Sequence, residues 1–355
     1  MGGSWVEDYR KFITDFSDPH EFSKLMEPPG SIYRSTVYPQ FAPHISVAFD
    51  PMPEWMTRTR QDISDRNGRP YQSGQDDPQQ NAAYAGHFRV MRQDYRRRAA
   101  NYEDDVEDQL DNIVDTATGR ALLQEIENAA VARQLSLKIV PYHGTDPNAE
   151  SGPRHVTKIK DATAMGRRID YTNPKNLLVG TGRGSDALIN YTAGKFKKSH
   201  EPGSRPDEIL FHEMVHASRG MRGQLDLVPV DAGYDQEEDY LAIVLTNIYM
   251  SDKGLTTFRG NHGEFVGLNF KVANFVLEGE DVNKFLANVQ NVNMAPVTLL
   301  ENFRLSQPDF YNALAHLPSN RPKINWVRDY EWQRLAIRDA MIKQGIIRPF
   351  RAPLQ

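Results

Sequence analysis

Apolar residues recur at helical spacing from Asn81 to about Gln134. There DNIVDTATGRALLQEIENAAVARQ sets Ile113, Leu122, Leu123 and Ile126 on one stripe that breaks near Gly119. The pattern then changes period. LSLKIVPYHG alternates Leu135, Leu137 and Ile139 with polar residues, as a half-buried strand does, and HVTKIK, RRIDYT and NLLVGTG read as further short strands between glycine- and proline-bearing turns. Beyond residue 207 helical spacing returns in PDEILFHEMVHASRG, in YDQEEDYLAIVLTNIYM and in the tail PKINWVRDYEWQRLAIRDAMIKQGII. Residues 1–80 show neither period, and their proline-rich and polar stretches read as an irregular arm. Helices, then short strands, then helices predict an α+β chain that is rich in helix and carries a small sheet.

The helix around residue 212 carries candidate chemistry. Asp207 is placed to cap its start and Gly220 to stop it, giving roughly three turns. Ile209, Met214 and Val215 supply an apolar surface for packing. His212 and His216 stand four apart in FHEMVH, so they project from one face and can bind one metal ion. Glu213 lies about 100° around the helix from His212. From there its carboxylate reaches a water at the metal without being a ligand, which is the position of a general base. A chance match of this kind arises in roughly 2 of 100 chains of this composition, so the metal reading outweighs two exposed histidines beside an acid.

A catalytic zinc ion usually takes three protein ligands and a water. The extended pattern with a third downstream histidine fails, because Arg219 and Arg222 occupy the positions of its glycine and histidine. The next source is the acidic first turn of YDQEEDYLAIVLTNIYM. Glu238 shares a face with Leu241, Ala242 and Leu245, a stripe that reads as buried, and is the favoured third ligand. Asp239, on a less apolar face, is the second choice, and periodicity does not exclude Glu237. Acids are also simply favoured in a first helical turn, which accounts for at least two of the three. Of the isolated histidines, His143, His155 and His200 read as surface or structural residues. His262 in FRGNHGEF, or Tyr249, is a candidate donor to a developing oxyanion.

Composition narrows the chemistry further. There are no cysteines, which excludes thiolate ligands and disulfides and leaves histidine, carboxylate and water to build a metal site. A net charge of -5 gives no footprint for nucleic acid. No apolar run approaches the length of a membrane span, and MGGSWVEDYRKFITDF lacks the apolar core of a signal peptide, so export would use a route without a cleaved Sec signal.

Taken together, DTATGRALLQEI, IDYTNP, EILFHEMVHASRG and QEEDYLAIVLTNIYMSDKG resemble the NleD-like zinc metalloproteases of bacterial effectors and toxins, over roughly residues 105–265. The resemblance implies a zincin-like domain in which His212 and His216 bind Zn2+, Glu213 is the catalytic base and the acidic pair supplies the third ligand. Family members usually show two glutamates where this chain has Glu238 and Asp239. Members are delivered into host cells, some by type III secretion, and cleave signalling kinases, which implies a protein substrate in the target-cell cytoplasm. The expected organisation is an arm or delivery segment at 1–80, a metalloprotease domain at 81–290, and a helical extension at 291–355 packed on the body. Two rival readings are a non-catalytic binding module with a structural metal, and a zinc hydrolase of non-peptide amides.

Overall fold

The computed structural model describes residues 43–49, 78–166, 180–227, 236–262 and 299–344, the last without 319 and 321. Helices dominate, and one four-stranded sheet runs in the order β1-β2-β4-β3. Its strands are β1 (Ile45–Val47), β2 (Leu137–Val140), β3 (Glu150–Pro153) and β4 (Ala187–Asn190). β2 pairs in parallel with β1 and β4, Leu137 standing opposite both Ile45 and Ala187, while β3 closes one edge antiparallel to β4. The alternation seen from Leu135 holds in β2, where Leu137 and Ile139 are fully buried. β1 falls inside the segment that reads as irregular, because three residues are too few to establish a period. The expected strand at HVTKIK is instead a 3-10 turn, Val156–Lys158, followed by the one-turn helix Ile159–Ala162. Its apolar residues, Val156 and Ile159, are three apart, which is helical rather than strand spacing. RRIDYT, and all of NLLVGTG except its last three residues, lie outside the described residues.

The first helical region is two helices, α1 (Pro78–Val114) and α2 (Ala117–Arg133). The break falls at Asp115 and Thr116, ahead of Gly119, because Thr116 caps α2 by accepting the Gly119 N–H on its hydroxyl at 2.9 Å. Gly119 has a separate reason to be small, since a Cβ there would meet the Ile113 carbonyl oxygen at 1.8 Å. Ile159–Ala162 is α3.

The motif lies in α4 (Pro206–Arg222), where Pro206 takes the first helical position and Glu208 reaches back to the N–H groups of Gly203 and Arg205 at 3.1 and 3.4 Å. The helix runs through Gly220 and stops at Gly223, which has φ 67 and a Cβ position only 2.3 Å from the Gly182 backbone. α5 (Glu237–Asp252) carries the acidic turn, and all its residues are buried. It crosses α4, packs on α2, and accepts Thr118 N–H and hydroxyl at Asp252 Oδ2 at 2.8 and 3.0 Å.

Three further helices follow: α6 (Leu299–Ser306), α7 (Pro308–Ala315) and α8 (Trp326–Lys343), the last where the tail sequence predicts one. Leu300, Phe303, Phe310, Tyr311 and Leu314 join one hydrophobic cluster with residues of β1, β2, β4, α1, α2, α4 and α5. The metal-motif helix thus sits at the centre of the fold, between the sheet on one side and α2 and α5 on the other. No described helix is long and apolar enough to cross a membrane.

Candidate metal centre

His212 and His216 sit one above the other on α4 with ring centroids 4.7 Å apart and planes at 84°. Their Nε2 atoms face each other at 3.1 Å. Ligand atoms about 2.0–2.1 Å from a tetrahedral zinc ion lie about 3.3 Å from one another. The spacing therefore suits two ligands of one ion, and two lone pairs this close repel unless a proton or cation lies between them. Burial, followed by the charge of His216, pushes the His212 pKa well below its ordinary value and favours its neutral, metal-binding form.

α5 brings Asp239 to the same point. Asp239 Oδ1 is 3.5 Å from His216 Nε2 and 3.6 Å from His262 Nε2. His212, Asp239 and His262 each place one donor atom within 4.8 Å of the others, a group able to hold a metal ion. Glu213 is buried beside them. Burial pushes its carboxyl above the ordinary range, and the charges of His216 and His262 partly oppose that.

Glu238, the favoured ligand on sequence, occupies the other side of His216. Its Oε1 lies 3.4 Å from His216 Nδ1, not at the Nε2 pole. Its oxygens also accept Arg219 Nε at 2.8 and 2.7 Å, and Oε2 accepts the Asp226 N–H at 2.9 Å. Burial alone would raise the Glu238 pKa, but the Arg219 charge and the His216 hydrogen bond outweigh it and hold the group ionised. An ionised carboxylate only accepts, so His216 carries a proton on Nδ1, and its neutral form offers Nε2 as the metal donor. Burial lowers the His216 pKa, but the Glu238 hydrogen bond and the charges of Glu213 and Asp239 outweigh it and raise it. Periodicity cannot separate Glu238 from Asp239, because every face of α5 is buried.

Tyr249 is not at this site. Its hydroxyl donates to Asp207 Oδ2 at 2.6 Å, and its ring stacks on Phe211 with centroids 4.5 Å apart. Ten residues after Asp239, it lies about 15 Å further along α5. Tyr249→Phe is expected to leave catalytic rate unchanged while lowering stability by about 1–3 kcal/mol, because buried Asp207 loses a donor. Peptide-cleavage kinetics beside thermal unfolding checks this.

His262 does reach the centre, and its ring lies 5.6 Å from that of His212. Two residues that sequence reasoning missed put it there. Asn247, fully buried on α5, donates Nδ2 to the Arg259 carbonyl and accepts the Arg259 N–H at Oδ1, both at 2.8 Å. The Arg259 guanidinium then donates Nε to the Asn261 carbonyl at 2.8 Å and a terminal nitrogen to the His262 carbonyl. Burial pushes the Arg259 pKa down to about 10, opposed by the charges of Glu213 and Asp239. Arg219 and Arg222 also gain a meaning, for each pairs with a buried acid, Arg222 with Glu125 at 2.8 Å. Their spacing from His216 offered a signal: Arg219 follows it by three, on the metal-binding face.

Two histidines and a carboxylate from a second helix suit a borderline cation such as zinc. Residues 92–264 match the model of the family Peptidase_M91, described as an effector protein. No curated protein and no solved structure matches the chain.

Proposed function

We propose, from the match of residues 92–264 to the Peptidase_M91 effector protein family, that this chain is a zinc-dependent endopeptidase. The observation that carries the reading is the pair of facing Nε2 atoms at 3.1 Å with Asp239 Oδ1 beside them. In this reading His212, His216 and Asp239 hold the ion, and His262 borders the position left for substrate. Zinc, when bound, polarises the scissile carbonyl and makes a water acidic enough to lose its proton near neutral pH. Glu213 takes that proton as the water adds to the carbonyl carbon. It then gives the proton to the leaving amine as the C–N bond breaks. His262, held by Asn247 and Arg259, donates to the oxygen on which negative charge develops. Glu238 keeps His216 in the tautomer that binds metal and fixes its ring.

An effector peptidase implies a protein substrate. We place its action in the cytoplasm of a target cell, with signalling kinases as the substrate class the family resemblance indicates. The test maps new protein N-termini in target-cell lysate treated with the wild type or with Glu213→Ala, each with and without chelator. New termini found only with the untreated wild type are expected. Identical patterns from all samples would leave a binding module with a structural metal as the better account. Release of small amines without new termini would favour hydrolysis of a non-peptide amide.

A further inference from the structure

The family match ends at residue 264, yet the contacts that hold Glu238 continue into α6 and α7. Arg219 is 2 % exposed and gives its Nε to Glu238. Its remaining donors go to Gln307 Oε1 at 3.3 Å, Ser306 Oγ at 3.4 Å and the Gln224 carbonyl at 2.7 Å. The Gln307 amide, 1 % exposed, turns its other end to Glu125 Oε1 at 3.0 Å and Ser218 Oγ at 3.4 Å. One amide therefore bridges two buried ion pairs, Arg219–Glu238 and Arg222–Glu125, accepting from the arginine of the first and donating to the acid of the second. A second arm comes from α6, where Asn302 Nδ2 donates to Asp226 Oδ2 at 3.1 Å, and Asp226 in turn gives its N–H to Glu238.

We propose that α6 and α7 complete the metal centre, with Gln307 and Asn302 as positioning residues that act on His216 through Arg219, Asp226 and Glu238. The inference rests on the reading that His216 is a zinc ligand. Glu125 is a second acid within the same polar cluster, and Arg222 takes both of its oxygens. Gln307 adds a donor to Glu125 Oε1 and an acceptor for an Arg219 terminal nitrogen, which holds the two pairs side by side with the Arg219 Nε on Glu238. A planar amide suits the place because it accepts at one end and donates at the other, which neither a carboxylate nor an aliphatic side chain does. The segment beyond residue 299 is then part of the peptidase, not a separable targeting module.

The test uses the full chain and reads the metal directly. Zinc affinity is measured by competition with a chromophoric chelator, and ligand geometry by the visible absorption of the cobalt(II)-substituted protein. Gln307→Leu is expected to weaken zinc binding about 10-fold, at the low end for groups behind a ligand, and to shift the cobalt bands. Asn302→Ala should move both in the same direction, and decides alone where Gln307→Leu fails to fold. Leu314→Ala, in the core of α7, should lower the melting temperature and move neither. Wild-type affinity and spectrum in both polar variants, or equal shifts in Leu314→Ala, overturn the relay while leaving the peptidase reading intact. A wild type that binds no zinc overturns both.

Discussion

A Glu213→Gln protein should retain one zinc per chain and a wild-type melting temperature, yet cleave its substrate on the order of 10³-fold more slowly. The substitution keeps the volume of a buried side chain and its carbonyl oxygen, so packing around α4 is undisturbed. What it removes is the ability to take a proton and return it. The position matters because the other carboxylates near the two histidines are otherwise engaged: Asp239 lies against two imidazoles and Glu238 is tied to Arg219. Glu213 alone remains to move the proton. Activity within a few-fold of wild type in the glutamine variant, with metal content measured on the same sample, would remove the assignment.

The second large effect separates two neighbouring acids. Asp239→Ala is expected to lower zinc affinity by more than about 100-fold, beyond the 10- to 100-fold range of groups that merely support a ligand. Glu238→Gln should fall inside that range and still bind stoichiometric zinc when the metal is in excess. It should also unfold more readily, by about 3–5 kcal/mol, because it leaves the Arg219 guanidinium buried without its counter-charge. The two variants therefore err in opposite ways, one losing metal and the other losing stability. Parallel zinc titration and denaturant unfolding would show it, and the reverse pattern would return the third ligand to Glu238.

Much of this site can be read from local spacing. The pair His212 and His216, with Glu213 between them, depends only on helical period, which is why its face and its burial follow from six letters of sequence. The second helix was also legible, down to its acidic first turn. Which acid turns toward the facing Nε2 atoms was not, because that depends on the crossing of α4 and α5 and on where Arg219 finds its partner. Arg219 and Arg222 read as gaps in a longer motif, and only tertiary pairing shows them as the counter-charges of Glu238 and Glu125. Tyr249 misled for a related reason: a tyrosine downstream of a zinc motif suggests chemistry, but ten residues of helix carry it to Asp207.

The same limit applied to the sheet. β2 announces itself by an alternation that starts before the strand, at Leu135, while β1 and β4 carry no alternation beyond their own three and four residues and pair with β2 to become strands. His262 was found by its nearness in sequence to the second helix. Its placement rests on the Asn247 side chain mimicking a strand partner for Arg259, a contact that no periodicity encodes.

The complete burial of α5 has a consequence for how firmly the protein holds Asp239 in place. A helix with no solvent face cannot peel away by local fraying, since each residue that leaves takes core contacts with it. Amide protons along α5 should then exchange with solvent only through the global opening of the molecule. Asp239 is part of that helix, so its position beside His216 and His262 should last as long as the fold itself.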